Sequence, residues 1–143
     1  MRIAVLDAAR AADAYLDARR DFAPIFIRLA TGFHLIYGTQ DNVFSYARML
    51  EFEQFLAAHG FPFTLFSAFL SAYAQFICGI LMILGAATRP AAAVMVINFI
   101  IAIVMVHVGR PYPEGAPAVW MLSSSLFLLV YGAGRPSVDA ALQ

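Results

Sequence analysis

The sequence predicts an all-α membrane protein: a four-transmembrane-helix bundle with an N-terminal amphipathic surface helix and a short interfacial helix between spans 1 and 2. Three observations carry this reading. The stretches Pro62–Ala87, Pro90–Gly109 and Gly115–Ala133 contain no Asp, Glu, Lys or Arg, and a helix needs about 20 mostly apolar residues to cross a hydrocarbon core. The chain is 62% hydrophobic and 13% charged, against roughly 45–50% and 25% in soluble domains. Breaks rich in glycine and proline separate the stretches, so they read as successive helices. A soluble protein built of such runs would have no polar face to meet water.

Composition excludes several function classes. At 143 residues the chain reads as one domain, with no room for a separate soluble catalytic module. The formal net charge is zero, so no electrostatic case for nucleic acid exists. The single cysteine, Cys78, lies in an apolar stretch and can form neither an internal disulfide nor a C-x-x-C redox pair. Met1–Asp21 carries four Arg and four Asp and no apolar block, which is not the pattern of a signal peptide.

Each element has its own signal. In residues 1–21, Arg10, Asp13, Asp17 and Arg20 recur three or four apart, and Val5, Ala9, Ala12 and Leu16 mark another face. That spacing predicts an amphipathic helix lying on the membrane or against a partner. The transmembrane domain occupies 22–143. Its first span is about 22–38, with Pro24 suited to a helix first turn. Arg28 falls roughly 9 Å in, within snorkelling reach of the interface. The second span is about 63–87, the third about 90–108 and the fourth about 116–131. Gly109–Pro117 holds three prolines and is not expected to be regular helix. In the long connection Gln40–Phe61, an apolar stripe at 49, 52 and 56 beside a polar one at 48, 51 and 54 predicts the interfacial helix.

Arginine sets the orientation. Arg2, Arg10, Arg19, Arg20, Arg89 and Arg135 flank one side and Arg48 and Arg110 the other. The expectation is a multi-pass protein with both termini cytoplasmic. Tyr112 and Trp120 suit an outer aromatic belt, and small residues on the first two spans suit close helix contact.

Polar residues inside spans are costly and often functional. Counted along the helices, His34 lies roughly 18 Å deep, Gln75 roughly 15–18 Å and Asn98 roughly 12 Å, a polar layer near the bilayer centre. Thr31, His34, Gly38 and Asp41 share one face; Ser71, Gln75 and Cys78 share another. Asn98 and His107 are nine residues apart and fall on opposite helix faces, leaving His107 to reach an outer cluster of Gln40, Asp41, Asn42, Arg48 and Glu51. In that cluster Asp41 and Glu51 could accept protons or pair with Arg48 and Arg110. The plain reading of His34, Gln75 and Asn98 is interhelical hydrogen bonding. His34 and His107 differ by roughly 7 Å in depth, which argues against a shared haem. No close ligand set for zinc is present either.

Several motifs in order resemble the DoxX family. They are Arg28-Leu-Ala-Thr-Gly32, Gly38-Thr-Gln40, Gly79-Ile-Leu-Met-Ile-Leu-Gly85, Thr88-Arg89 and the closing Gly132-Ala-Gly134-Arg-Pro-Ser137-Val-Asp139. The resemblance spans about Ile25 to Leu142 and implies a four-helix membrane protein of the bacterial inner membrane. Many members carry a lysine just after the glycine ending the first span; here Asp41 stands near that position.

The resemblance further implies an accessory, small hydrophobic subunit of a membrane redox or respiratory-type complex. Such a subunit has no redox centre or cofactor of its own and contributes to quinone binding in electron transport. His34, Asp41 and His107 are then the candidate quinone-site residues, with Gln75 and Asn98 as the polar layer. Its partners would be the lipid bilayer and other membrane protein subunits, or further copies of itself. Two alternatives stand beside this reading. One is a purely structural assembly subunit packed against a larger membrane enzyme. The other is a small-solute or lipid-binding membrane protein. Catalysis by the isolated chain is not expected.

Overall fold

The computed structural model of the chain describes residues 1–142, with the side chains of 2–4 left aside. It is helical throughout, with no strand among the described residues. Helix α1 spans Arg2–Asp17, and a 3₁₀ turn at Arg20–Phe22 leads into α2, Pro24–Phe44. Next come α3 (Tyr46–Ala58), α4 (Thr64–Leu84), α5 (Thr88–Ala102, continued by a π-helical turn over Ile103–His107), α6 (Tyr112–Tyr131) and α7 (Val138–Ala141). Three helices are long and apolar enough to cross a membrane: Thr64–Leu84, Thr88–His107 and Tyr112–Tyr131. Helix α2 matches α4 in length, at 21 residues, and carries Arg28 and Asp41.

Helix α2 runs antiparallel to α4, and two glycines set the closeness of their crossing. A Cβ on Gly32 would stand 2.6 Å from the Gly79 carbonyl oxygen, and one on Gly79 would stand 2.9 Å from that of Gly32. Backbone therefore meets backbone, as small residues permit in a membrane, where packing rather than water exclusion holds helices together. Helices α5 and α6 pack beside this pair. The main core runs from Leu35 on α2 through Cys78 and Met82 on α4 and Met95 and Phe99 on α5 to Met121 and Leu128 on α6. The rest of each of the three apolar helices faces outward with large apolar side chains, such as Ile77, Ile100 and Val130, a surface suited to lipid.

Helix α3 starts where Ser45 leaves the helical region and its hydroxyl accepts from the Arg48 amide, a side-chain cap. Its stripe points inward: Met49 is 1% and Leu56 4% exposed, packed with Ala68 and Ala72 of α4, and Phe52 is partly buried. Arg48, Glu51 and Gln54 face out. Every described side chain of α1 is exposed, so the helix stands apart from the bundle.

Two expectations fail, each for a local reason. Residues 112–117 are helical rather than irregular. Pro111 precedes the helix and Pro113 sits in its first turn, where a missing N–H costs nothing. Only Pro117 removes an internal bond. The second failure is Arg28. It does not snorkel but lies 2% exposed. Its Nε donates to the Met82 carbonyl at 2.9 Å and its Nη2 to that of Ile83 at 3.2 Å. Its Nη1 donates to the carbonyls of Ala133 at 2.7 Å and Pro136 at 2.9 Å. Met82 and Ile83 belong to the last turn of α4, whose carbonyls lack helical partners. The guanidinium fork thus joins a helix end to the returning C-terminal segment.

Asp139 completes the knot. Its two carboxylate oxygens accept from the Ala87 amide at 2.7 Å and the Thr88 amide at 2.9 Å, at the start of α5. Its own amide donates to the Gly85 carbonyl at 2.8 Å. Ala87 holds a left-handed conformation, φ 47°, which disfavours a residue with a Cβ by about 1–2 kcal/mol; the Asp139 bonds offset that strain. Partial burial works against a charged carboxylate here. The two amides and the Arg28 guanidinium outweigh it and hold the Asp139 carboxyl below the usual carboxylate range. A depressed acid contributes stability that is fully present above its unfolded value, about pH 4. That contribution is lost as pH falls through the folded value. Asp139→Asn is therefore expected to melt lower at pH 7, by about 1 kcal/mol for the weakened cap, and to lack the wild type's loss of stability below about pH 4. Thermal melts in detergent across pH 3–7 check this; parallel curves for the two proteins would refute it.

Candidate functional site

A cavity of about 680 Å³ opens between α2, α3, α4, α5 and α6. Its walls are mostly apolar, from Phe52, Leu70, Ile97, Met105 and their neighbours, and a few polar groups converge on it. Of the residues that the sequence nominates, His34, Gln75, Asn98 and His107 line this one space. Asp41 does not. It lies exposed near the end of α2, and among the described residues it forms no ion pair.

Helix phase brings Gln75 and Asn98 together through Ser71. Gln75 Nε2 donates to Ser71 Oγ at 3.1 Å, and Ser71 Oγ donates to Asn98 Oδ1 at 2.8 Å. The chain of donors has a direction with a chemical consequence. Gln75 uses its amide nitrogen and keeps its carbonyl as an acceptor. Asn98 uses its carbonyl and keeps its amide nitrogen as a donor. The Gln75 carbonyl and the Asn98 amide nitrogen are therefore left free on two residues that line the cavity. Ser71 shares a face with Gln75 at i and i+4, and that spacing was the signal for its linking role.

His107 reaches the same cavity from the π turn. The Val108 amide donates to the Ile103 carbonyl at 3.0 Å, five residues back. One extra residue in a turn rotates the succeeding side chains by roughly 100° relative to an α-helix. Asn98 and His107 both border the cavity, which takes its lining from several sides of α5. The ring packs on α6 at Gly115, where a Cβ would stand 3.2 Å from the His107 Cβ. His107 Nδ1 is buried without a hydrogen-bond partner. Buried polar atoms are nearly always paired, so an unpaired one in a cavity wall invites explanation. His34 lines the cavity from an exposed position on α2.

The outer cluster divides differently from expectation. Arg48 pairs with Glu51 at 2.7 Å, and Asn42 Nδ2 donates to the Arg48 carbonyl at 3.0 Å. Arg110 pairs not with Asp41 or Glu51 but with Glu114 at 3.3 Å, and its other nitrogen meets His59 Nε2 at 3.3 Å. His59 Nδ1 lies 2.7 Å from the Phe55 carbonyl, which fixes Nε2 as the acceptor for Arg110. Arg110 so ties α3 to α6 across the outer end of the cavity, next to the lining residues Phe55 and Glu114. These ion pairs are exposed and worth little to stability, and of these contacts only the Arg110–His59 bond reaches the end of α3 from another element.

The remaining polar residues are satisfied locally. Ser123, Ser124 and Ser125 each donate to the carbonyl four residues back, the usual fate of a serine within a helix. Cys78 is buried in the core. No group of three or more His, Cys, Asp or Glu able to hold a metal ion occurs among the described residues.

Apolar helices of spanning length packed around a cavity with few polar groups define a small helical membrane protein. The chain belongs to the DoxX family, whose family model matches residues 23–108. No curated protein and no solved structure matches it.

Proposed function

We propose that the chain is an accessory subunit of a membrane redox complex and holds a quinone head group in the cavity between its helices. In this reading α2 is the fourth span, both termini face the cytoplasm, and the membrane is the bacterial inner membrane. The length of α2 and its packing along α4 support the fourth span. The observation that carries the proposal is the cavity itself: about 680 Å³, apolar walls, and one acceptor and one donor left free on Gln75 and Asn98. A largely apolar pocket with a few convergent polar groups is the usual form of a small-molecule site. A quinone head group matches it, with an apolar ring, a tail, and oxygens that accept from Asn98 as quinone or donate to Gln75 as quinol. His107 would take one of the two protons as quinol is oxidised, and the other would leave to water at the mouth of the cavity. Electrons would pass to a redox centre on a partner chain.

The test is retained quinone in protein purified from native membranes in mild detergent. Asn98→Leu and Gln75→Leu keep the volume but remove the free groups, and each is expected to lower retained quinone about five- to tenfold, the worth of one hydrogen bond. Asp41→Ala, away from the cavity, is expected to leave it unchanged. Equal quinone content in wild type and both leucine variants would sink the proposal.

An assembly role is the second reading, favoured by one observation. Helix α1 contributes an amphipathic surface that the bundle leaves uncovered. Removing residues 1–17 should then release a fixed partner without changing retained quinone. Unchanged partner recovery would count against it.

A further inference from the structure

A second pocket, about 660 Å³, lies at the end of the bundle where α5 begins and α6 ends. Arg89 and Arg135 both line it. The other charges at this end are committed within the fold. Arg28 holds four carbonyls. Asp139 holds the amides of Ala87 and Thr88. Asp21, also on the pocket wall, accepts from the Tyr131 hydroxyl at 3.2 Å. Among the described residues neither Arg89 nor Arg135 forms an ion pair. The side chain of Arg89 makes one long hydrogen bond, 3.3 Å to the Val130 carbonyl. Both arginines are exposed. Two guanidiniums that form no ion pair thus share one concave surface at the end of apolar helices, with the carboxylates of Asp21 and Asp139 on the same wall already engaged by Tyr131 and by the Ala87 and Thr88 amides. Beside them Val130 of α6 is 77% exposed.

We infer that Arg89 and Arg135 bind the phosphate of an anionic phospholipid, whose acyl chains lie along the exposed apolar face of α6. The guanidinium fork matches phosphate oxygens in a bidentate way. Basic pockets between spanning helices are where anionic head groups bind. The Asp21 carboxylate sets the head-group type. It repels a second anion but accepts from a hydroxyl, so a phosphoglycerol head group fits the wall better than a bare phosphate monoester. This site is separate from the cavity of the quinone proposal, and either can fail without the other.

The experiment uses the full chain, stripped of lipid in detergent and offered phosphatidylglycerol or phosphatidylcholine, with bound lipid read by native mass spectrometry. Phosphatidylglycerol is expected to be retained over phosphatidylcholine. Arg89→Gln and Arg135→Gln are each expected to lower its retention roughly fivefold. Melting temperatures should match the wild type, since both side chains are exposed. Equal retention of the two lipids, or unchanged phosphatidylglycerol in the double variant, would overturn the inference. Displacement of the lipid by millimolar inorganic phosphate would reassign the site to the free anion and overturn the lipid assignment.

Discussion

Arg28→Leu is expected to destabilise the bundle by about 3–5 kcal/mol, the usual consequence of removing one partner from a buried charged network. Leucine fills much of the space but donates nothing. The carbonyls of Met82, Ile83, Ala133 and Pro136 all lose a donor at once. A buried acceptor left unpaired costs about 1–3 kcal/mol, and Met82 retains a second donor in the Gly85 amide, so the sum falls short of four full penalties. Arg28→Lys keeps the charge but presents one nitrogen where the guanidinium reaches in three directions. It is expected to recover only part of the loss. Thermal unfolding in detergent measures both variants, and limited proteolysis should find residues 132–142 released in the leucine variant. A leucine variant that melts with the wild type would show that these bonds contribute nothing net.

Gly32→Val is the second large effect, about 3 kcal/mol or more, at the upper end of the overpacking range. The new Cβ would fall 2.6 Å from the Gly79 carbonyl oxygen and 2.6 Å from Ile83 Cγ1. A side chain can turn away, but a helix carbonyl cannot, so α2 and α4 must separate along their crossing. Separation would also draw Arg28, one turn away on α2, from the carbonyls of α4. Gly38→Ala is the matched control. A Cβ there meets nothing within 4 Å, and alanine is the better helix former by about 1 kcal/mol. Melting temperatures of the two variants should move in opposite directions. If Gly32→Val melts no lower than Gly38→Ala, the close crossing is not what holds these helices.

Much of the fold was legible because a membrane solvent leaves few choices. Runs without charge must be helices, since every backbone group must be paired inside its own segment. Met49, Phe52 and Leu56 share one helix face as their spacing required, and that face packs on α4. His34, Gln75 and Asn98, singled out by depth as a polar layer, line one cavity, a space that depth counting alone does not reveal. The misreadings share a cause: each depends on contacts distant in sequence or on a local departure from regular geometry. Nothing near Arg28 announces that its acceptors lie 54 to 108 residues on. The π turn at the end of α5 likewise leaves no mark in composition. Asp41 is a candidate through the resemblance and the polar cluster around it. Helix α2 runs on past Gly38 to Phe44 and carries the carboxylate out of the cavity's reach. Arg28, Gly32, Gly79 and Gly85, which stand in the motifs that resemble the family, build the knot and the helix crossing in this chain rather than the cavity. A family signature of this kind reports architecture more directly than chemistry.

The knot around Arg28 also imposes an order of events during synthesis. Arg28 is made 105 residues before its partner Ala133, a lag of roughly 5–20 s at ordinary translation rates. For the first half of that interval the Arg28 guanidinium has neither the end of α4 nor the returning segment; for the second half it has the Met82 and Ile83 carbonyls alone. Closure of the knot is thus a late step, and a ribosome stalled before residue 133 would hold a chain in which Arg28 still lacks the Ala133 and Pro136 carbonyls.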